Sequence, residues 1–104
     1  MSKRGEEVVS GTRRPLGYQQ ILNATLQNAV SLTPPTLGAG QYWLYAVIQA
    51  NGGTIRWRDD GVAPTSSVGM VIASGGELLY AGELEKIQLI ASTGTPIADI
   101  SYYY

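Results

Sequence analysis

The sequence predicts an all-β protein, a single β-sandwich with a jelly roll as the favoured topology. About eight short runs rich in β-branched and aromatic residues are separated by turn residues. No segment predicts a helix convincingly. The length of 104 residues fits one domain. We expect an extended basic arm over residues 1–14 and the β-sandwich domain over residues 15–104.

The first part of the domain has two possible interpretations. Residues 18–22 and 26–32 look like strands that end at the breaker pair Pro34-Pro35. A helix is the alternative, because one stripe of side chains at helical spacing also runs through this region. That stripe consists of Tyr18, Ile21, Leu22, Thr25, Leu26 and Ala29.

Residues 41–50 predict a strand with two largely apolar faces. Asn51-Gly52-Gly53 then predicts a tight hairpin, because these residues tolerate the positive φ that such a turn requires. Residues 54–58 return with alternating polarity, which places Trp57 and Ile55 on one inward face. The two faces of the first strand hold Tyr42, Leu44, Ala46 and Ile48 on one side and Trp43, Tyr45, Val47 and Gln49 on the other.

Four further strands are expected in the second half of the chain. They cover residues 68–73, 77–80, 86–92 and 97–104. The intervening glycines favour turns, including one at Gly94.

The composition argues against catalysis. The chain contains no histidine and no cysteine, so the usual general base, the commonest metal ligand and the thiol nucleophile are absent. We therefore expect no catalytic residue, no cofactor, no metal and no small-molecule substrate. Only 14% of the residues are charged, against about 25% in typical soluble domains. Since charged residues are depleted where proteins meet, part of the surface is expected to be covered by other chains.

The basic residues are concentrated at the N-terminus. The arm holds Lys3, Arg4, Arg13 and Arg14 against Glu6 and Glu7, whereas residues 15–104 hold three basic and six acidic residues. This pattern favours contact with an acidic protein surface over nucleic acid, which is not an expected partner. No apolar run approaches the roughly 20 residues that span a bilayer, and no membrane partner is expected.

The densest polar motif is Arg56-Trp57-Arg58-Asp59-Asp60-Gly61. Two carboxylates beside a glycine suggest a calcium loop, but the spacing of such a loop is not matched. An aromatic residue between arginines suggests stacking on nucleic acid, but the surrounding body is acidic. The favoured interpretation is a structural loop in which Arg56 or Arg58 pairs with Asp59 or Asp60.

The C-terminal tyrosines are candidate interface residues. Tyr102, Tyr103 and Tyr104 alternate between the two sides of a strand, so one or two rings are expected to face inward. Tyrosine is common at protein interfaces because it combines a large ring with a polar tip. The predicted interface therefore combines these three residues with Lys3, Arg4, Arg13 and Arg14.

Five short segments after residue 15 carry a resemblance to a known group of proteins. They are Gly17-Tyr18-Gln19-Gln20, Arg56-Trp57-Arg58-Asp59-Asp60-Gly61, Ala63-Pro64-Thr65, Val68-Gly69-Met70 and Gly76-Glu77-Leu78. With these segments, most of the chain from residue 15 onward resembles small virion-associated proteins of tailed bacteriophages. The resemblance implies a capsid decoration, or cement, protein that is made in the bacterial host cytoplasm and bound in the virion. Its implied partners are the major capsid protein and itself, as a homotrimer that bridges neighbouring capsid subunits.

Two alternatives remain open at this point. A tail or head-to-tail component is also structural, but it is expected in few copies per particle. A carbohydrate-binding β-sandwich module belongs to a different class, and it is suggested by Trp43, Trp57 and the seven tyrosines.

Overall fold

The computed structural model describes residues 14–42 and 45–104, which form one antiparallel sheet with a single short helix. The all-β prediction is confirmed for this part of the chain. In the described residues no helix has the length and apolar character needed to cross a membrane. The strands are β1 Pro15–Ile21, β2 Val30–Ser31, β3 Tyr45–Arg58, β4 Met70–Ile72, β5 Glu77–Tyr80 and β6 Gln88–Tyr103, and a 3-10 helix covers Thr25–Gln27.

Two long strands organise the sheet. β3 pairs with β6 along nearly its whole length, from Tyr45 opposite Tyr103 to Arg58 opposite Gln88. At the end of the pair that holds Tyr45 and Tyr103, β5 pairs with β3 and β1 pairs with β6. At the other end, β4 pairs with β3 and β2 pairs with β6. The pairing therefore gives one open sheet, and the two separate sheets of the predicted sandwich are not confirmed.

The predicted hairpin at Asn51-Gly52-Gly53 is wrong. β3 continues through these residues, and the register shifts between Asn51 and Gly53 and again between Thr54 and Ile55. Gly52 has a φ of 84°, as a turn would require, but here the positive φ belongs to a β-bulge. The predicted turn at Gly94 is wrong for the same reason, because β6 passes through it with a φ of 71°.

Glycine is required where the two bulges meet. Gly53 lies opposite Gly94, and a Cβ on Gly53 would be 2.4 Å from the carbonyl oxygen of Thr93. A Cβ on Gly94 would be 2.9 Å from the carbonyl oxygen of Gly52. Any side chain at this crossing would therefore displace backbone, and the close approach sharpens the bend in both strands.

The bend folds the sheet onto itself. Tyr80 pairs with Ala46 at the start of β3, yet its ring centre lies 5.8 Å from that of Trp57 at the end of the same strand. A straight strand would separate Ala46 from Trp57 by about 36 Å over these 11 residues. Both ends of the sheet consequently contribute to one hydrophobic core, which includes Ile48, Ile55, Tyr80, Leu89 and Ile100.

The N-terminal region follows the strand interpretation only in part. β1 is a strand that ends at Ile21, so the helical alternative is wrong for residues 15–21. Residues 26–32 are not one strand, because the 3-10 helix intervenes and buries Leu26 completely before the short strand β2 begins. Trp57 packs against the core as predicted, although its side chain remains partly exposed.

Replacing Gly94 with alanine tests the glycine crossing. Gly61 is the matched control, because its φ of 86° implies similar backbone strain and no atom lies within 4 Å of the position that a Cβ would take. We expect Gly61→Ala to cost about 1–2 kcal/mol from strain alone. Gly94→Ala should cost about 1–3 kcal/mol more because of the added steric conflict. Urea unfolding of both variants measures this difference, and equal losses would contradict the proposed crowding.

Tyr80 makes stability sensitive to alkaline pH. Burial and the hydrogen bond to Asp59 raise the pKa of Tyr80 to about 12, whereas an unfolded tyrosine titrates near 10. The folded state therefore favours the neutral phenol, and the stabilisation is fully present below about pH 10 and is lost as the pH rises towards 12. We expect Tyr80→Phe to show a shallower loss of stability than wild type between pH 9 and 12, in urea unfolding followed by circular dichroism.

The control for this titration is Tyr42→Phe, because the ring of Tyr42 is 77% exposed. This variant should keep the wild-type dependence on alkaline pH. An identical alkaline loss in Tyr80→Phe and wild type would show that another group causes it.

Candidate functional site

The side of the sheet opposite the core carries an unusual set of side chains. In β3 and β6 the core-facing residues include Ala46, Ile48, Ile100 and Tyr102, so the residues between them face outward. One cross-strand row of these outward residues runs from the edge strand β5 to the edge strand β1. It consists of Leu79, Val47, Ser101 and Tyr18.

A stacked pair of tyrosines lies beside this row. Tyr45 and Tyr103 are opposite each other in the β3–β6 pair, with their ring centres 4.9 Å apart and their planes inclined by 19°. We call the row and this pair the outer face: Tyr18, Tyr45, Val47, Leu79, Ser101 and Tyr103. Leu79 is 54% exposed and Tyr18 is 64% exposed, whereas Tyr45 is buried and the other three residues are half-buried. The face therefore presents apolar and aromatic surface mainly at Leu79 and Tyr18.

Asp99 organises the next row of the same side. Its Oδ1 accepts hydrogen bonds from the hydroxyl of Tyr18 at 2.5 Å and the amide of Gln20 at 3.0 Å. Its Oδ2 accepts one from the amide of Asn51 at 2.5 Å. The hydrogen bond from Tyr18, with those from Gln20 and Asn51, holds the pKa of Asp99 below its usual value, although partial burial opposes this effect. The carboxylate thereby holds the exposed ring of Tyr18 in one position.

A shallow hollow lies between this network and the tyrosine pair. Its volume is about 190 Å³, and Tyr18, Val47, Asp99 and Tyr103 contribute to its walls. The hollow combines aromatic rings with fixed polar groups, and it belongs to the outer face rather than to the interior of the protein.

The predicted structural loop has the geometry that was expected of it. Arg58 forms an ion pair with Asp60, and its Nε donates a hydrogen bond to Oδ1 of Asp60 at 3.0 Å. These hydrogen bonds hold the pKa of Asp60 below its usual value. Asp59 instead accepts a hydrogen bond from the hydroxyl of Tyr80 at 2.9 Å.

Arg56 has a different role from Arg58. Its guanidinium donates to the carbonyl oxygen of Gly69 at 2.9 Å and to that of Ser66 at 3.2 Å. Ser92 in β6 also donates to the carbonyl oxygen of Ser66, at 2.6 Å. The loop before β4 is therefore tied to the outward side of the sheet.

Next to this loop, the core opens into a groove of about 430 Å³. We call it the Trp57 groove: Trp57, Arg58, Asp59, Asp60, Val68, Gly69 and Met70. Met70 pairs with Trp57 across β3 and β4, and it is 61% exposed. In residues 14–42 and 45–104 no three acidic side chains come together in a way that would hold a metal ion.

The predicted interface residues do not form one site. Tyr102 is fully buried, and its hydroxyl donates a hydrogen bond to Oε1 of Gln19 at 2.6 Å, so its assignment to an exposed interface is wrong. Tyr103 belongs to the outer face. Arg14 and Tyr104 are joined by backbone hydrogen bonds at the start of β1. Lys3, Arg4 and Arg13 lie outside the described residues, as do Trp43 and Leu44.

Tyr18, Leu79, Asp99 and Met70 were not among the candidate site residues, although Tyr18 and Met70 belong to segments that carry the phage resemblance. The sequence did contain a signal for the outer face, because both faces of residues 41–50 are largely apolar. An antiparallel sheet commonly packs only one of its faces on the core, so the second apolar face remains for another contact. The participation of Asp99 has no local signal, since its partners Tyr18, Gln20 and Asn51 are distant in the sequence.

Comparison with known proteins gives no relative. No family model, no curated protein and no solved structure matches this chain.

Replacement of Asp99 tests the network on the outward side of the sheet. Because the pKa of Asp99 is depressed in the folded state, its stabilising contribution is present above about pH 4 and is lost as the pH falls below that value. We expect Asp99→Asn to weaken the acid dependence of the melting temperature between pH 2 and 5. Glu85→Gln at an exposed position is the control and should retain the wild-type acid profile. A wild-type profile in Asp99→Asn would contradict this role.

Proposed function

We propose that this chain is a non-enzymatic structural protein of a tailed-bacteriophage virion. In this proposal it is a capsid decoration, or cement, protein that binds the major capsid protein through its outer face and associates with itself as a homotrimer. It is made in the host cytoplasm and acts in the virion. The observation that carries the proposal is the outer face, where Leu79, Val47 and Tyr18 form an apolar and aromatic row.

The chemistry of this face supports contact with protein. The solvent side of an antiparallel sheet is usually polar, whereas on this one a row with tyrosine and aliphatic side chains lies beside the polar row of Asp99. Tyrosine is enriched in protein interfaces. Asp99 already holds the ring of Tyr18, so less side-chain freedom is lost when a partner covers it.

The bent sheet also supports a rigid, sandwich-like body for this role. The two ends of the sheet face each other across one core, and the ring contact between Trp57 and Tyr80 joins them. In our proposal this body acts as a solid spacer between capsid subunits. The phage resemblance, over most of the chain from residue 15 onward, and the low content of charged residues agree with such a role.

A substitution on the outer face tests the proposal. The partner is the capsid of particles that lack this protein, and the bound copies are counted by quantitative mass spectrometry. We expect Leu79→Lys to weaken binding by about tenfold or more, since covering a leucine contributes about 1.5–3 kcal/mol. Leu22→Lys is the matched control, because Leu22 is 53% exposed, against 54% for Leu79, and follows β1 outside the outer face.

The result separates the candidate functions. Binding of wild type and Leu22→Lys at all equivalent capsomer junctions, with loss in Leu79→Lys, supports decoration. Saturation at only a few copies per particle would favour the tail or head-to-tail component instead. If particles bind neither wild type nor Leu22→Lys, and a glycan array binds wild type through Tyr18, the protein is instead a carbohydrate-binding module.

A further inference from the structure

The Trp57 groove is a largely apolar opening beside the core. Trp57 faces the core from the end of β3, and Val68 and Met70 flank it with exposures of 51% and 61%. Ile55 and Ile72, one step further along the same pair of strands, are buried. The core is therefore sealed at Ile55 and Ile72 and accessible at Trp57 and Met70, where one or two additional apolar side chains can enter.

The rim of the groove is acidic. Asp59 and Asp60 are both exposed, and Arg58, which pairs with Asp60, is the one basic residue in the lining, so the lining carries a net charge of −1. The rest of residues 15–104 does not offset this charge, since it holds two basic and four acidic residues. The groove thus fits a segment that carries apolar side chains together with basic ones.

The N-terminal arm has this chemistry. Val8-Val9 is an apolar pair, and the same arm carries four basic residues, Lys3, Arg4, Arg13 and Arg14, against Glu6 and Glu7. No other part of the sequence combines so many basic residues with an apolar pair over so short a length. The arm therefore complements the groove both in its apolar pair and in its charge.

The sheet places the origin of the arm and the groove at opposite edges. Arg14 leads into β1, which lies on the β6 side of the central strand pair, whereas the groove lies against β4 on the β3 side. Val8 is only six residues before Arg14, which limits its reach to about 20 Å. The arm and the groove are different surfaces, so a contact between the arm of one copy and the groove of another is heterologous. Such contacts close into a ring when the rotation between neighbouring copies closes, as a homotrimer requires.

We propose that the N-terminal arm of one copy binds in the Trp57 groove of the next copy, with Val8-Val9 against Trp57 and Met70 and the basic residues near Asp59 and Asp60. This head-to-tail contact closes the homotrimer. This contact specifies how the self-association in the proposed function occurs. The inference rests on that self-association and not on capsid binding. The experiment uses purified protein without particles, so its failure is distinguishable from a failure of capsid binding.

The test compares full-length variants by sedimentation. Met70→Lys places a positive charge in the groove, and Val8→Asp/Val9→Asp removes the apolar pair of the arm. We expect each to raise the dissociation constant of self-association about tenfold or more. Val71→Lys is the matched control, because Val71 is the next residue of β4, is 52% exposed and points to the opposite side of the sheet.

Mixing the two defective variants identifies the contact. Met70→Lys retains an intact arm, and Val8→Asp/Val9→Asp retains an intact groove. An equimolar mixture should therefore form open dimers through one arm and one groove, while neither variant associates alone. Higher salt should weaken the wild-type assembly, because basic residues meet an acidic rim.

Three results of the sedimentation and mixing experiments would overturn the inference, and a fourth concerns the control. They are a wild-type protein that stays monomeric, a Met70→Lys variant that associates as wild type does, and a mixture that forms no dimers. An equal loss of association in Val71→Lys would also overturn it, because the effect would then not depend on the groove. Melting temperatures of all variants establish that each one is folded when it is measured.

Discussion

The crossing of Gly53 and Gly94 is the constraint on which the rest of the structure depends. Neither position accommodates a Cβ, because the carbonyl oxygens of Thr93 and Gly52 lie too close. Two long strands can therefore bend together at this point without breaking their pairing. Without the bend, a single sheet of this size would leave one whole face of Ile, Leu and Tyr side chains uncovered. The bend turns the two ends of that face toward each other and makes one core from one sheet.

Tyr80 links the two ends of the bent sheet. Its backbone pairs with Ala46, its ring meets Trp57 edge to face, and its hydroxyl donates to Asp59 in the loop after β3. Edge-to-face aromatic pairs contribute about 0.5–1.5 kcal/mol beyond the burial of their surface. Because the same residue also holds Asp59, the position of the acidic rim of the Trp57 groove depends on how the sheet closes. Tyr80 therefore couples the packing of the core to the shape of the groove.

The sequence predicted the strands better than their connections. Alternating polarity correctly indicated β structure at residues 77–80 and placed Trp57 and Ile55 on the inward side. It failed at Gly52 and Gly94, because a positive φ suits a hairpin turn and a β-bulge equally well. Only the pairing of β3 with β6 over their full length distinguishes the two. Tyr102 and Tyr103 show a similar limit, since alternation separates their faces but does not say which face is covered.

The two candidate surfaces lie on different parts of the bent sheet, and this separation has a consequence for assembly. The outer face is on the solvent side near the start of β3, whereas the Trp57 groove opens from the core side near its end. In the proposed assembly, a partner on the outer face would therefore not occupy the groove, and attachment and self-association would not compete. In the proposed trimer, the three bound arms together would bring three outer faces onto one support, so their combined attachment would exceed that of a single face. The arms would then strengthen attachment through valency, without any contact between the arms and the capsid.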